Sequence, residues 1–347
     1  MLPDENWVKI QTAFGGICGS DLNVIFLHDS PSMSPFCSFP FIFGHEAVGE
    51  IQEVGGNVEG FNAGDRVLVN PLLCCEQRNI DPRCPSCQRE DLARCENFAE
   101  GSLSPASILG FCRDTGGSWG EYFVAHKSRL YKLPDNLTYE DAIFTDPLAS
   151  ALHPIMRNMP TDDENVLIIG AGIIGLFAVA GLRALGSKCG ISVLAKYGFQ
   201  AELAKKFGAN NVLSYENDYY ENLRKIVGGK LYKPILGERV MVGGFDKTFD
   251  CVASDSTLNT AMNFTDRGGT LVVVELATVP QKVDWSPAWF KELQIKGSFC
   301  YSVEEFEGNT TNSFIKAFEL IQKCSFSFKT ILERPWSHAL VNSAICR

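Results

Sequence analysis

The ten residues VLIIGAGIIG, Val166 to Gly175, decide the fold. Four apolar residues suited to a buried strand run into a turn that carries Gly170, Gly172 and Gly175 in a G-x-G-x-x-G array, and the apolar residues that follow open a helix. In that setting the glycines permit a tight turn, the close approach of a pyrophosphate and close packing of helix on strand, while the helix N-terminus at Ile173 and Ile174 offers unpaired N–H groups to phosphate oxygens. Three glycines alone would equally suit a flexible turn. The strand before them and the helix after them select a dinucleotide site.

Working outward, the next strand reads ISVLAKYGFQ, Ile191 to Gln200. An NAD site carries an acidic residue about 20 residues past the fingerprint to accept from the ribose 2′-OH; here the position holds Ala195, followed by Lys196. An absent carboxylate removes repulsion and an ammonium can pair with a 2′-phosphate, so the reading leans to NADP over NAD, with Tyr197 against the adenine. The plainer alternative for Lys196 is a solvated surface lysine.

Strand and helix continue to alternate. QAELAKKFGA reads as helix, NVLSY as strand, FDKTFDCV (Phe245 to Val252) and GTLVVVEL (Gly269 to Leu276) as strands, and TLNTAMNFT between them as helix. This pattern predicts βαβ units on a parallel sheet. NSFIKAFELIQKC, Asn312 to Cys324, predicts an amphipathic helix. Before about residue 145 the texture is different: short β-type runs such as VGEIQEV (Val48 to Val54) and RVLVN (Arg66 to Asn70) are divided by turn signals, which predicts a small antiparallel, partly barrel-like domain.

With 347 residues, about two domains are expected. A composition of 45% hydrophobic and 21% charged residues, with no run of 18 or more apolar ones, describes a globular chain rather than a membrane span. The N-terminus MLPDENWVKI lacks the pattern of a secretory signal, so a cytoplasmic location is expected. A net charge of −10 without a basic cluster argues against nucleic acid as a partner. The 13 cysteines fit metal ligation and buried thiols better than a disulfide framework.

Cys84, Cys87 and Cys95 have the spacing of ligands to a tetrahedral zinc, which needs four. The same half of the chain holds GICGSD (Gly16 to Asp21), GHE (Gly44 to Glu46), GDRV (Gly64 to Val67) and DPLASALH (Asp146 to His153). In this order, and with the glycine fingerprint behind them, the motifs make the chain resemble the zinc-dependent medium-chain dehydrogenase/reductase family, from about Val8 to the vicinity of Leu332. That family includes alcohol, polyol, sugar and threonine dehydrogenases.

The resemblance implies a GroES-like β catalytic domain at 1–148 with a structural-zinc lobe at about 72–96, a Rossmann domain at 149–287, and a return to the catalytic domain at 288–347. It implies a catalytic zinc on Cys18, His45 and Asp146, with Glu46 beside the metal or as an alternative ligand and Asp21 fixing the tautomer of His45. Ser20 matches the hydroxyl that passes the substrate proton outward. Where many relatives continue that relay with a histidine, this chain has Asn23, so water or His28 takes the step; His153 is assigned to packing. Relatives close a second, structural zinc with C-x-x-C-x-x-C-x7-C, of which Cys84, Cys87 and Cys95 match while Asp81 stands at the first position. Cys75 is preferred as the fourth ligand, Asp81 is the alternative, and Cys74 follows.

The function implied is hydride transfer between an alcohol, polyol or sugar hydroxyl, or its carbonyl, and NAD(P), by a homo-oligomer, dimer or tetramer, acting on a small molecule. An aspartate ligand leans toward the polyol, sugar and threonine branches. Phe26, Phe36, Phe41, Phe43 and Trp119 are candidates for an apolar cleft or for ordinary core. Alternatives are a zinc-free quinone or enone reductase on the same scaffold, which should lack the Cys18, His45 and Asp146 set, and a non-catalytic zinc and nucleotide-binding protein. Two family strands before GICGSD and one after SHALVNSAICR are expected to be missing.

Overall fold

The computed structural model describes residues 1–216 and 218–323, in two compact units. The first comprises Met1–Ala149, Tyr301–Val303 and the described residues from Thr310; the second comprises Ser150–Cys300 and Glu304–Asn309. Residues 288–300 thus belong to the second unit, and the chain re-enters the first at Tyr301. The segment SHALVNSAICR, after which the family's final strand is expected to be missing, lies outside the described residues.

In the first unit a nine-residue strand, β1 (Trp7–Gly15), precedes the short helix α1 (Gly19–Ile25), followed by β2 (Ala47–Val54), β3 (Arg66–Val69), the one-turn α2 (Pro85–Gln88), β4 (Tyr122–His126), β5 (Leu130–Lys132) and α3 (Tyr139–Ala142). The five strands form one antiparallel sheet in the order β4-β1-β2-β3-β5. Alternation decides which face is buried: Val8, Ile10, Ala47, Ile51, Val67, Val69 and Phe123 meet in one apolar cluster, whereas Glu50, Gln52 and Glu53 of β2 are exposed. Helix α4 (Thr145–Arg157) begins in the first unit and continues into the second.

The second unit follows the βαβ rhythm: β6 (Asn165–Ile169), α5 (Ile173–Ala184), β7 (Gly190–Ala195), α6 (Gly198–Lys206), β8 (Asn211–Ser214), α7 (Tyr219–Val227), the short pair β9 (Lys230–Tyr232) and β10 (Val240–Val242), then β11 (Phe245–Asp250), α8 (Asp255–Phe264), β12 (Thr265–Val273), α9 (Ser286–Phe290) and β13 (Gln294–Gly297). Six strands make a parallel sheet in the order β13-β12-β11-β6-β7-β8, the doubly wound arrangement expected. The strand order reverses between β6 and β11, where such sheets bind ligands beyond the carboxyl ends of their strands. Local chemistry sets the ends of the helices. Asp218 caps α7 by accepting from the Glu221 N–H and Gly228 ends it at φ 70°, while the Ser254 hydroxyl accepts from the Thr257 N–H at the start of α8. The last helix described, α10 (Ser313–Lys323), packs back in the first unit with Phe314 and Phe318 against Tyr131. Among the described residues no helix is long and apolar enough to cross a membrane.

Candidate functional site

In the first unit three motifs converge. Cys18 stands immediately before α1, and its N–H donates to Asp21 Oδ2 at 3.0 Å, which folds the GICGSD turn back on itself. Gly44, at φ +100°, turns the chain into β2; a Cβ there would lie 2.5 Å from Trp119 Cδ1 and Ser118 Oγ. The turn delivers His45 and Glu46 to Cys18, and a ligand atom from each of the three lies within 4.8 Å of the others. The Glu46 carbonyl is pinned by the Gly16 N–H at 3.0 Å and the Ser118 hydroxyl at 2.9 Å, while Trp119 Nε1 donates to the Gly16 carbonyl at 2.9 Å. A Cβ on Gly16 would fall 1.7 Å from Glu46 Oε2, so glycine is what leaves room for the carboxylate.

Asp146, second residue of α4, is buried near this group without being one of the three. Its Oδ2 accepts from the Tyr301 hydroxyl at 2.7 Å. The trio gathered is therefore Cys18, His45 and Glu46, where the family motifs put Asp146 in the set and Glu46 second to it. Asp21, fully buried, has Oδ1 3.4 Å from His45 Nδ1, and neither atom has a hydrogen-bond partner. Ser20 is half-buried on α1 two residues after Cys18; Asn23 is half-buried further along the helix, and His28 lies exposed past its end.

The electrostatics call for a cation. Burial and then the Asp146 charge push the Glu46 carboxyl up to about 8, and burial raises Asp146 and the Cys18 thiol. Burial opposes protonation of His45, but the Asp21 carboxylate and the Cys18 side chain together lift it well above the usual imidazole range. Three carboxylates and a thiol thus face one imidazole with no lysine or arginine among them. A thiolate, an imidazole and a carboxylate are the donor set of an open zinc site, and with the unpartnered Asp21 and His45 atoms they fit a divalent ion.

The cysteine lobe forms a second cluster in the same unit. Cys75, Cys84, Cys87 and Cys95 are buried, with sulfurs within 4.8 Å of one another and Cys75 Sγ to Cys95 Sγ at 3.7 Å. Zn–S bonds of about 2.3 Å in a tetrahedron put sulfurs about 3.8 Å apart. Backbone N–H groups of Cys84, Cys87, Glu96 and Asn97 point at these sulfurs at 3.4–3.5 Å, as thiolates require. Asp81 is exposed and stands outside the group. Buried Cys74 instead donates to the Leu92 carbonyl at 3.5 Å. The fully buried Arg78 donates to the carbonyls of Leu73, Glu100, Leu103, Ser104 and Ala106 and so ties the lobe together.

In the second unit the glycine turn leaves β6. Gly170 takes φ +91°, and a Cβ on it would lie 2.4 Å from Val252 Cγ2. A Cβ on Gly175 would meet the Gly170 carbonyl at 1.9 Å, whereas one on Gly172, immediately before α5, would meet nothing within 4 Å. Turn and packing thus exclude side chains at two glycines, and the third keeps open space at the helix N-terminus where Ile173 and Ile174 begin; the cradle fits a pyrophosphate. Lys196 follows the last residue of β7, its Nζ 5.6 Å from the centroid of the Tyr197 ring, which stacks on Phe199 at 5.9 Å.

Motif reading did not find two contributors to the candidate metal site. Tyr301, which orients Asp146, is 155 residues away in the chain, and Phe111, whose ring centroid lies 5.9 Å from that of His45, belongs to no motif. His153, read as a packing residue, is buried against Glu304 in the second unit, which also accepts from Arg157.

A doubly wound sheet with a pyrophosphate turn, joined in one chain to an antiparallel unit bearing an open S, N, O cluster and a four-thiol lobe, defines a zinc-dependent oxidoreductase of the nicotinamide type. Residues 4–135 match the alcohol dehydrogenase GroES-like domain and residues 174–317 match the zinc-binding dehydrogenase family. The chain is 31% identical to L-idonate 5-dehydrogenase of Vitis vinifera over 300 residues, 85% of this chain and 73% of that one. It is 30% identical to L-threonine 3-dehydrogenase of Pseudoalteromonas translucida over 304 residues, 87% of this chain and 79% of the relative. The crystal structure of 2R,3R-butanediol dehydrogenase from Bacillus subtilis is similar at a TM-score of 0.68 and 25% identity, over 93% of this chain and 82% of that one. The chain belongs to the zinc-dependent medium-chain dehydrogenase family.

Proposed function

We propose that the chain oxidises an alcohol-type hydroxyl on a small molecule, or reduces the corresponding carbonyl, with NADP preferred to NAD. The observation that carries this reading is the gathering of Cys18, His45 and Glu46 within 4.8 Å in a pocket of buried carboxylates. Cys18 and His45 hold the catalytic zinc with a carboxylate as third ligand, Glu46 or Asp146. A zinc held there would acidify a substrate hydroxyl or polarise a carbonyl oxygen, and a nicotinamide coenzyme in the glycine cradle would supply or take up the hydride. Asp21 faces His45 Nδ1 and leaves Nε2 for the ion. Tyr301 holds the Asp146 carboxylate in place. Oxidation releases a proton, and Ser20 Oγ, two residues from Cys18, hands it to water, since the Asn23 amide cannot act as a base.

Cys75, Cys84, Cys87 and Cys95 hold the structural zinc. The lean to NADP rests on Lys196 and the absence of a carboxylate at Ala195. A cytoplasmic location is favoured because thiolate ligands need a reducing compartment. A homo-oligomer is favoured by the edge strand β13, exposed at all four residues, beside the half-exposed or more exposed Trp285, Trp289 and Phe290. Metal analysis of the purified chain, with alcohol oxidation followed at 340 nm before and after chelation, tests the reading. Two zinc ions per chain, with turnover lost on removal of the more exchangeable one and regained on its return, are expected; undiminished turnover after stripping refutes it.

A further inference from the structure

Aromatic rings form a continuous path to the metal cluster in the first unit. Phe39 lies 4.7 Å from Phe41, Phe41 lies 5.0 Å from Phe43 and 5.4 Å from Phe111, and Phe43 lies 5.5 Å from Trp119, all between ring centroids. Phe111 then stands over His45 at 5.9 Å. The path runs from Phe39, 58% exposed, to His45, 6% exposed, and three of its rings lie on the segment that leads into Gly44, His45 and Glu46.

Four polar side chains beside these rings are already engaged. Trp119 Nε1 donates to the Gly16 carbonyl, the Ser118 hydroxyl to the Glu46 carbonyl, and Ser38 Oγ accepts from the Arg113 N–H. The Arg113 guanidinium donates to the Phe39 carbonyl. A substrate hydroxyl laid against these ring faces would lose water partners that the rings do not replace, whereas an apolar group would lose nothing.

We propose that this wall selects an alcohol or carbonyl whose reacting carbon bears an aromatic or branched alkyl group, over polyhydroxylated or amino-acid substrates. The inference rests on the oxidoreductase reading above and narrows its substrate class. The ring of such a substrate packs edge-on or offset against Phe41 and Phe111 while its hydroxyl reaches the cluster at His45.

The test compares kcat/KM of the zinc-loaded chain for benzyl alcohol, 3-methylbutan-1-ol, ethanol, D-sorbitol and L-threonine, each with NADP and with NAD. Benzyl alcohol or 3-methylbutan-1-ol is expected to exceed sorbitol and threonine by about 100-fold or more. Phe41→Ala should lower the ratio of benzyl alcohol to ethanol about tenfold, mainly through KM, and Phe41→Leu should keep most of it. Sorbitol or threonine at equal or higher kcat/KM, or an unchanged ratio in Phe41→Ala, overturns the inference and leaves the oxidoreductase reading standing. A zinc-loaded chain that oxidises none of the five overturns both.

Discussion

At the scale of single residues, the proposed preference for NADP rests on one ammonium. Lys196 directly follows β7, near the end of the sheet strand where the ribose of a bound dinucleotide is read, and its Nζ lies 5.6 Å from the centroid of the Tyr197 ring. A charge-assisted pair with a 2′-phosphate contributes about 1.5–3 kcal/mol. Lys196→Ala should therefore lower kcat/KM for NADP about tenfold or more while changing that for NAD less than about threefold, measured with one alcohol and both coenzymes. Equal losses for the two would show that Lys196 supports the strand end rather than reading the phosphate.

At the scale of elements, the cysteine lobe separates two ligand sets that the chain itself offers. Cys75→Ser should release one zinc per chain and lower the melting temperature by about 10 °C, because a structural zinc contributes directly to folding; Asp81→Asn, at an exposed site outside the sulfur group, should change neither. Metal content and a thermal melt read both variants. The elements themselves were legible where one local signal governs them. Apolar runs bounded by glycine located β6, α5 and β7 because strand, turn and helix are contiguous in sequence, and alternation located β2 for the same reason. The nearness of Glu46, rather than Asp146, to Cys18 and His45 was not legible. Which carboxylate turns toward Cys18 depends on Tyr301, brought to Asp146 from 155 residues away, and on the space left by Gly16, neither of which has a sequence period. Strand ends slipped for a related reason. Thr265–Gly268 joins β12 ahead of the predicted start at Gly269 because Thr265 Oγ1 bonds Thr248 Oγ1 on β11, a partner pattern reading does not see.

At the scale of the whole molecule, the buried carboxylates tie stability to metal and pH. In the zinc-free chain Glu46 titrates near 8 instead of about 4.5, so the native state holds a proton that the unfolded chain releases. Its stabilising effect is complete below about pH 4.5 and is lost as pH rises to 8; His45, also raised, acts in the same direction. The zinc-free chain should melt about 5 °C or more lower at pH 8 than at pH 5.5, and added zinc should restore more stability at the higher pH, because binding displaces those protons. A calorimetric series with and without zinc tests this; a zinc effect that shrinks as pH rises would contradict it.

The five carbonyl bonds of Arg78 have a consequence of another kind. A divalent ion on four thiolates is a dianion, and an anion of that charge is costly to remove from water. Arg78 sets a positive charge, wholly buried, within the same lobe; burial lowers its guanidinium below the usual arginine range, and the sulfurs of Cys112, Cys95 and Cys74 offset part of that. The guanidinium that stitches the loops would thereby also serve as a built-in counterion to an ion held by the four thiolates.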